Sequence, residues 1–559
     1  MHRGVRRLAH IAVFALLISS LPGRPALAAA HDCPDALGLE QWRATLGAEW
    51  IACVRLDDLT TTNNPYTDPN SLTGMGFPPP GTGTLNSNKT APTAPAVAGI
   101  QIHGYFADGC NAFQVEPALT AKNGALFIKG CIPPPTVGGT CVADCHHDAQ
   151  LVLRIPDTWS GRLLTAGTPG IRDAFASDFI LSDLAMERGW AYVSQDKGNM
   201  GANFFQDACD ERADASPACP DWTTQATIDD PLPQCDPTIL QPWCAGRAIA
   251  EWTFRVRQAT RSARRLLDQL APAYGFAGVT RSYAAGISNG GYQVRRAIES
   301  DKHEHLYDGG VDWEGTLFTR GHNLFTYLPT ALQKCAAGIA PPCDVTAMAA
   351  VGFEPRSAPL WPYHWTIYWG LTQKVYRLAL DPEYTRYTCS DTLTAGPPCV
   401  SPPVLQVPPD DPDALYDVGA RLAANPALGT RIDVAANTGA LQRPLITLHG
   451  DQDSLLPIRT DSDVYAQMVA AANRSNRFRY YVVAGGNHVD GQFDDHSGVD
   501  DYGNNVLRPM LPCVRSAIDA LVLWVEGGVA PPASGVIPRP AGATASDLAN
   551  RCDLTTVPR

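Results

Sequence analysis

Short apolar runs alternate with amphipathic stretches from about residue 148 onward. Strands are predicted for AQLVLRIP, GRLLTAG, WAYVSQDKG and TRSYAAG, which are rich in apolar residues and bounded by Gly or Pro. Helices are predicted where apolar residues recur every three or four positions, in ASDFILSDLAMERG, AGRAIAEWTFRVRQATRSARRLLDQLAPAYG and GGYQVRRAIES. This order of elements is typical of a mostly parallel sheet with helices on both faces, so the pattern predicts an α/β fold.

The alternation is interrupted between residues 320 and 430 and then resumes. The interrupting segment is rich in aromatic residues and holds four cysteines, which predicts an inserted lid with aromatic faces. Beyond it, PLITLHG and FRYYVVAGG are predicted strands, and SDVYAQMVAAAN and LRPMLPCVRSAIDALVLWVEGG are predicted helices. The predicted organisation is a main α/β domain in two pieces (148–319 and 431–532), the lid (320–430), an N-terminal loop- and β-rich region (29–147) and an extended tail (533–559).

The first 28 residues have the composition of a secretory signal peptide. Three arginines precede an apolar run, residues 11–21, that is too short to span a bilayer requiring about 20 residues. Ala26-Leu27-Ala28 then fits the small-x-small pattern of a cleavage site. The alternative is an uncleaved N-terminal anchor. We expect residues 1–28 to be removed and the protein to be secreted, either extracellular or periplasmic.

All 16 cysteines follow the predicted signal peptide. An even number of cysteines in a secreted chain predicts disulfides. Many are neighbours in sequence, so we expect the local pairs Cys33/Cys53, Cys141/Cys145, Cys209/Cys219, Cys235/Cys244, Cys335/Cys343 and Cys389/Cys399. Zinc is the alternative for the Cys141–His147 segment, but no second pair of ligands follows at the spacing of a zinc finger.

Acidic residues outnumber basic ones by 56 to 43, which gives a net charge of −13. A nucleic-acid partner is therefore not expected, because binding phosphates requires a basic surface. After the N-terminal run, no apolar stretch is long enough to predict a membrane span. The sequence carries no signal of a particular oligomeric state.

Residues 286–290, Gly-Ile-Ser-Asn-Gly, match the pattern G-x-S-x-G. They lie between a predicted strand and a predicted helix, the setting in which a sharp turn exposes a nucleophilic serine, here Ser288. Small flanking residues allow the strained turn to form and the chains to pack closely. The amino end of the following helix would supply N–H groups and positive potential to an oxyanion. The alternative role for Ser288 is a buried helix cap in a Gly-rich turn.

A serine nucleophile needs a base, and the base needs an acid that orients it. In α/β-hydrolases the three follow in the order Ser, acid, His. Asp453, shortly after the predicted strand PLITL, is the candidate acid; Asp451 is the alternative, and both could instead cap the next helix. His488, in a Gly-rich loop after the last predicted strand, is the candidate base, with His496 as the alternative.

Two N–H donors are needed to stabilise the oxyanion of an ester reaction. One is expected from Asn289, the residue after the nucleophile. The other is expected from the loop after LLTA, where Gly167 and Thr168 are favoured because Pro169 has no N–H. That loop is equally compatible with a simple turn.

Acidic residues are dense between Asp490 and Asp501. Hard oxygen ligands suit calcium, but the spacing is not that of an EF-hand loop. We favour a solvated acidic loop, and we expect the reaction to need neither a metal nor a cofactor.

SYAAGISNGG, LHGDQDSLLP and the AGGNH loop resemble the corresponding segments of secreted α/β-hydrolases of the tannase/feruloyl-esterase group and of 3-hydroxybutyrate-oligomer hydrolases. Residues 194–198 (SQDKG) and the closing WVEGGVAP strengthen the resemblance. It implies an α/β-hydrolase fold and a serine carboxylic-ester hydrolase that works through Ser288, His488, Asp453 and an acyl-enzyme.

One departure from that resemblance concerns the substrate. Tannase-like enzymes typically carry one cysteine before the serine and another beside the histidine, joined as a disulfide. Those places hold Ile287, Asn487 and Val489 here, which shifts the expectation from gallate and ferulate esters toward 3-hydroxybutyrate oligomers or related esters. Two other functions stay open: a serine peptidase of the same fold, in which Asp312 and Glu314 would bind a free amino terminus, and a non-catalytic binding protein.

Overall fold

The computed structural model describes residues 32–61, 95–106, 150–170, 174–197, 248–335, 343–381, 384, 413–488, 490, 507–539, 552 and 554. The strands within these ranges are β1 Ala48–Leu56, β2 Gly99–Phe106, β3 Gln150–Pro156, β4 Arg162–Gly167, β5 Ala191–Gln195, β6 Arg281–Ile287, β7 Gly309–Trp313, β8 Leu445–Gly450, β9 Phe478–Val483 and β10 Gly535–Ile537. They form one sheet in the order β1-β2-β3-β5-β4-β6-β7-β8-β9-β10.

The described α-helices are α1 Ala36–Leu46, α2 Asp183–Glu187, α3 Ala248–Leu270, α4 Asn289–Ser300, α5 Leu328–Lys334, α6 Val345–Ala350, α7 Trp361–His364, α8 Gly370–Leu380, α9 Val418–Ala424, α10 Pro426–Ala435, α11 Ser462–Ala471 and α12 Leu511–Gly527. The predicted helix ASDFILSDLAMERG is split, because a π-helical turn over Asp178–Ser182 precedes α2. Asp178, at the start of that turn, pairs with the buried Arg154 of β3 at 2.6 Å. Among the described helices, none is both long and apolar enough to cross a membrane.

The sheet is antiparallel at one edge and parallel elsewhere. The pairs β1/β2, β2/β3 and β3/β5 are antiparallel, whereas every pair from β5/β4 through β9/β10 is parallel. The predicted mostly parallel sheet is therefore confirmed. The sheet also extends beyond the predicted limits of the main domain, because β1 and β2 precede residue 148 and β10 follows residue 532.

Alternate residues of the central strands face different helices, which builds a core on each side of the sheet. Leu164 and Tyr283 pack with residues of α2 and α12. Their chain neighbours point the other way: Leu163 packs with α1 and α3, and Ala284 packs with α4 and α11. This two-sided burial explains why the parallel strands are continuous apolar runs in the sequence.

Three disulfides lie within the described residues. Cys33–Cys53 and Cys335–Cys343 are bonded, which confirms two of the predicted neighbour pairs. Cys513–Cys552 links α12 to the C-terminal region across 39 residues and was not expected, since it does not join sequence neighbours. The other four predicted pairs, the zinc alternative and the signal peptide lie outside the described residues.

A buried arginine fixes the position of α4, the helix that begins after Ser288. The Arg295 guanidinium donates to Asp312 (2.6 Å) at the end of β7 and to Asp461 (2.9 Å) and Ser462 (2.7 Å) before and in α11. Burial disfavours its charge, but Asp312 and Asp461 outweigh that effect and raise the pKa of Arg295. The network therefore joins three elements beneath the carboxyl edge of the sheet.

We expect Arg295→Met to lower the free energy of unfolding by about 3–5 kcal/mol, because it leaves two buried carboxylates without their cation. The control is Arg320→Met, which removes an ion pair with Asp433 whose side chains are 59 % and 52 % exposed. That exposed pair should contribute at most about 1 kcal/mol. Denaturant unfolding with the disulfides intact measures both, and equal losses would contradict the structural role of Arg295.

Candidate active site

Ser288 occupies a strained turn at the carboxyl edge of the sheet. It directly follows β6 and precedes α4, with φ 57° and ψ −122°, a backbone conformation that costs a non-glycine residue energy and is typical of functional sites. Its N–H donates to Trp313 O at 2.8 Å, which fixes the turn against β7. Because β4 lies between β5 and β6, the strand order reverses here, where α/β sheets bind ligands. This is the α/β-hydrolase fold predicted from the sequence.

Three glycines let the turn approach the neighbouring strand. A Cβ on Gly290 would lie 2.1 Å from the Gly167 carbonyl oxygen, and one on Gly167 would lie 2.2 Å from the Gly290 oxygen. A Cβ on Gly286 would lie 2.5 Å from the Gly290 carbonyl. No side chain fits at such distances, so close packing requires the glycines of the G-x-S-x-G pattern.

His488 and Asp453 form a buried hydrogen-bonded pair. His488 Nδ1 lies 2.9 Å from Asp453 Oδ2, and the side chains are 2 % and 0 % exposed. The other carboxylate oxygen, Oδ1, accepts the N–H groups of Leu455 and Leu456 at 2.8 Å each. Burial alone would raise the pKa of Asp453, but the adjacent His488 and His449 outweigh it and keep that pKa well below its usual range. Asp453 is therefore an ionised partner for the imidazole.

Asp451, the alternative acid, points elsewhere. Its Oδ1 accepts the Gly485 N–H at 2.7 Å, and its Oδ2 pairs with the exposed Arg356 at 2.9 Å. The alternative base, His496, lies outside the described residues. Of the two candidate acids, only Asp453 contacts His488.

A second buried carboxylate lies beside His488. Glu314 directly follows β7, and its Oε2 is 3.2 Å from His488 Nδ1. Burial, together with the charge of Asp453, raises the pKa of Glu314 to about 8. Burial would lower the pKa of His488, but Asp453 and Glu314 outweigh it and raise that pKa to about 10. Sequence reasoning assigned Glu314 to a possible amino-terminus site and missed this contact, although its place directly after a central strand is a usable signal.

His449 contacts Asp453 as well. Its Nε2 lies 3.1 Å from Asp453 Oδ2 and 2.9 Å from Leu456 O, and its Nδ1 lies 2.7 Å from Ser462 Oγ. Among the described residues, one group has side chains of the kind that bind metals. Its potential ligand atoms, on Glu314, His449 and Asp453, lie within 4.8 Å of one another. Because Asp453 and His449 already use these atoms in hydrogen bonds, we interpret the set as support for the acid and not as a metal centre.

The two predicted sources of oxyanion donors meet at this edge, with one correction. Asn289 is the first residue of α4, so its N–H has no partner within the helix. Gly167 ends β4 directly beside the turn. The Thr168 N–H, however, donates to Gln293 Oε1 at 3.0 Å and is not available to an oxyanion. Sequence reasoning could not foresee this, since the acceptor comes from α4.

Lys197 supports the 167–170 loop from the side of β5. Its buried Nζ donates to Thr168 Oγ1 at 2.6 Å and to Pro169 O at 3.2 Å. The residue lies in the SQDKG segment that carried part of the family resemblance, and its φ of 74° is unusual for a lysine. The segment therefore fixes the loop that could supply the second donor.

The side chain of Asn289 connects this loop to two other parts of the site. Its Nδ2 donates to Gly170 O at 2.9 Å, while its Oδ1 accepts from Thr316 Oγ1 at 3.0 Å and from the Tyr376 hydroxyl. Tyr376 belongs to α8 of the inserted segment, which sequence reasoning did not connect with the turn. One amide group thus joins the 167–170 loop, the segment after β7 and the insertion.

We expect Asn289→Ala to lower kcat by about 10-fold with a smaller change in KM, less than the roughly 10²–10³-fold loss for removing an oxyanion donor itself. The substitution keeps the backbone N–H but frees the loop ending at Gly170. Tyr376→Phe removes only one contact of the same amide and should cost about threefold or less. Steady-state kinetics on a soluble ester measures both, and an unchanged kcat in Asn289→Ala would contradict the positioning role.

Aromatic side chains of the inserted segment pack against the site. Trp361, Trp365 and Trp369 are buried in one cluster with Leu455 and Leu456, which lie shortly after Asp453. The Trp369 Nε1–H donates to Ser454 O at 2.9 Å, so the insertion contacts the loop after β8 as well as the start of α4, where Tyr376 bonds to Asn289.

The predicted acidic loop is described only at its start. Asp490 is buried and accepts the N–H groups of Met510 and Leu511 at 2.7 and 2.9 Å, which caps the beginning of α12. The remaining acids of the calcium alternative lie outside the described residues.

A family model described as 3HB-oligomer hydrolase matches residues 389–559. The resemblance to that family is thereby confirmed over this range, which includes Asp453 and His488 but not Ser288. The curated D-(-)-3-hydroxybutyrate oligomer hydrolase of Ralstonia pickettii is 30 % identical over 125 residues. That match covers 22 % of this chain and 17 % of the relative, so the chain is matched to less than a fifth of the relative's length.

Solved structures of several esterases are also similar to this chain. Feruloyl esterase B from Aspergillus oryzae is 14 % identical, with a TM-score of 0.43 and coverage of 87 % of this chain and 88 % of that one. Tannin acyl hydrolase from Aspergillus niger is 12 % identical, with a TM-score of 0.41 and coverage of 88 % and 87 %. The rice cell wall degrading esterase LipA from Xanthomonas oryzae is 16 % identical, with a TM-score of 0.32 and coverage of 67 % and 86 %.

Proposed function

We propose that this chain is a secreted carboxylic-ester hydrolase that uses Ser288, His488 and Asp453 as a catalytic triad. The main support for this proposal is that a serine in a strained strand–helix turn lies on the same edge of the sheet as a buried His–Asp pair. The Ser288 N–H donates to Trp313 O, and Glu314, which follows Trp313 in the chain, contacts His488. The segment Trp313–Glu314 therefore contacts both the turn at Ser288 and the proposed base.

In this mechanism His488 takes the proton of the Ser288 hydroxyl as its oxygen attacks the ester carbonyl. The oxyanion is stabilised by the Asn289 N–H and an N–H of the 167–170 loop. His488 then gives its proton to the leaving alcohol, and an acyl-enzyme remains. Water, activated by the same imidazole, releases the acid and restores Ser288.

The proposed substrates are 3-hydroxybutyrate oligomers or related esters. The 3HB-oligomer hydrolase match over residues 389–559 supports this choice, as does the absence of cysteines beside Ser288 and His488 in the sequence. The buried aromatic cluster of residues 320–430 would cover the acyl or alcohol side of the ester, as apolar walls do in most ligand pockets. An aromatic esterase of the tannase/feruloyl type is the alternative.

A serine peptidase of the same fold is less well supported. Asp312, one half of the proposed amino-terminus site, is buried and bonded to Arg295 and Thr447 at 2.6 and 2.8 Å. Glu314, the other half, contacts His488. Neither carboxylate is left to bind a free amine.

The test combines covalent labelling with a substrate panel. A fluorophosphonate should modify the protein once, peptide mapping should place the adduct on Ser288, and ester hydrolysis should fall in proportion to labelling. The panel contains 3-hydroxybutyrate oligomers, p-nitrophenyl, feruloyl and galloyl esters, and matched amides. Labelling elsewhere, or no turnover of any ester by folded protein, would refute the proposed function; preference for feruloyl or galloyl esters would select the alternative substrate.

A further inference from the structure

The Nδ1 side of the His488 imidazole is bordered by two carboxylates instead of one. We propose that Glu314 sets the basicity of His488 by sharing the Nδ1 side of its imidazole with Asp453. The inference rests on the proposed function and deepens it. Glu314 would act indirectly: its carboxylate would stabilise the positive charge of protonated His488, and it would not touch the reacting atoms.

The geometry places one ring nitrogen between two acids. His488 Nδ1 lies 2.9 Å from Asp453 Oδ2 and 3.2 Å from Glu314 Oε2, and both carboxyl side chains are fully buried. Opposite charges at such distances in a buried site interact strongly, because little water screens them. When His488 becomes protonated, its positive charge is therefore stabilised twice.

The backbone holds Glu314 in this place at a conformational cost. Its φ is 52°, a region that non-glycine residues rarely adopt. Its N–H donates to Leu448 O at 2.9 Å, and its Oε1 accepts the Gly450 N–H at 3.1 Å, so both ends of the residue are bonded to β8. These bonds leave Oε2 directed toward His488.

The two acids differ in their surroundings. Asp453 accepts two backbone N–H groups and contacts two imidazoles. Glu314 accepts one backbone N–H on Oε1, whereas its Oε2, 3.2 Å from His488 Nδ1, accepts no hydrogen bond among the described residues. The pKa of Asp453 is accordingly lowered and that of Glu314 raised. The other titratable groups packed around these acids are His449 at the end of β8, His364 of α7, whose pKa burial lowers to about 3, and Tyr327 and Asp461 farther out.

The expected consequence concerns the acid side of the pH–rate profile. His488 must be neutral to take the serine proton, so a raised pKa moves the onset of activity to higher pH. Removing the Glu314 charge should move that onset to lower pH. The expected displacement is about one pH unit or more, since a charge within about 4–6 Å shifts a pKa by about 1–3 units.

The first experiment compares kcat/KM against pH for the wild type and Glu314→Gln. The matched control is Glu299→Gln, another buried glutamate that accepts two backbone N–H groups, from Thr438 and Gly439 at 3.0 and 2.8 Å, far from the triad. The control should keep the wild-type profile. Glu314→Ala repeats the test without placing an amide group against the imidazole.

The second experiment does not depend on turnover. The titration of His488 is followed by NMR of ¹³C-labelled histidine in Ser288→Ala and in Ser288→Ala/Glu314→Gln, with His488→Asn to assign the signal. A lower pKa in the double variant supports the proposal even if no Glu314 variant is active. Two results would overturn the proposal: an unchanged His488 pKa, or an active Glu314 variant whose activity begins at the same pH as that of the wild type. Glu314 would then have only a structural role, through its hydrogen bond with the Gly450 N–H. If Ser288 does not react with fluorophosphonate, the proposed function is refuted but the inference about Glu314 is not. The NMR titration of His488 still decides whether Glu314 changes its pKa.

Discussion

Ser288→Ala is expected to lower kcat/KM for ester hydrolysis by about 10⁴-fold or more, the scale on which removing a triad nucleophile acts. The substitution removes one oxygen atom from a residue that is 7 % exposed and whose side chain makes no described hydrogen bond within the turn. The backbone contacts that form the turn, including Ser288 N–H to Trp313 O, are unaffected. The protein should therefore stay folded while the reaction is lost.

The control for this substitution lies on the same strand. Ser282 is buried at the opposite, amino end of β6, and its Oγ has no hydrogen-bond partner among the described residues. Ser282→Ala should keep activity within about twofold, as expected for a site away from the reaction. Initial rates on the best ester, thermal unfolding and fluorophosphonate labelling complete the comparison. Residual activity above about 1 % in a homogeneous Ser288→Ala preparation would mean that another group is the nucleophile.

The parts of the site that the sequence predicts are those encoded locally. The G-x-S-x-G pattern between a strand and a helix indicates the turn at Ser288, because the close contacts of Gly286 and Gly290 leave no room for side chains. Asp453 follows the parallel strand β8 and His488 follows β9, and the carboxyl ends of such strands meet at one edge. These residues can therefore be found by pattern and order alone.

The parts that the sequence does not predict depend on which distant segments meet. Gln293 reaches Thr168 across 125 residues, and Tyr376 reaches Asn289 across 87. Both contacts help to hold the 167–170 loop in place, but nothing in the sequence around Gln293 or Tyr376 indicates this role. Glu314 was noticed for its charge, but its role depends on its backbone conformation and on the pairing of β7 with β8.

The limits of the sheet were missed for a similar reason. β1 was not singled out in the sequence, although seven of its nine residues are apolar, and its register with β2 covers nearly its whole length. β10 has only three residues and lies in a Pro-rich segment. β10, in contrast, is formed by its pairing with β9 and is not indicated by its own composition.

Asp453→Asn is expected to lower kcat by about 10³–10⁴-fold, the scale of the corresponding change in other triads. The amide oxygen could still accept the N–H groups of Leu455 and Leu456. Its NH₂ group would then face His488 Nδ1 and His449 Nε2, which both approach Asp453 Oδ2. A donor in that place favours the tautomer of His488 that carries its proton on Nε2, the atom that should accept the proton of Ser288.

The matched control is Asp451→Asn, two residues earlier in the same loop. Its carboxylate bonds to Gly485 N–H and to Arg356, whose side chain is 64 % exposed, so activity should stay within about threefold. The two variants have the same charge and differ in whether the acid contacts the base. A large loss in Asp451→Asn would contradict the assignment of Asp453. Activity above about one-tenth of the wild-type level in Asp453→Asn would instead indicate that Glu314, 3.2 Å from the same nitrogen, can orient His488 by itself.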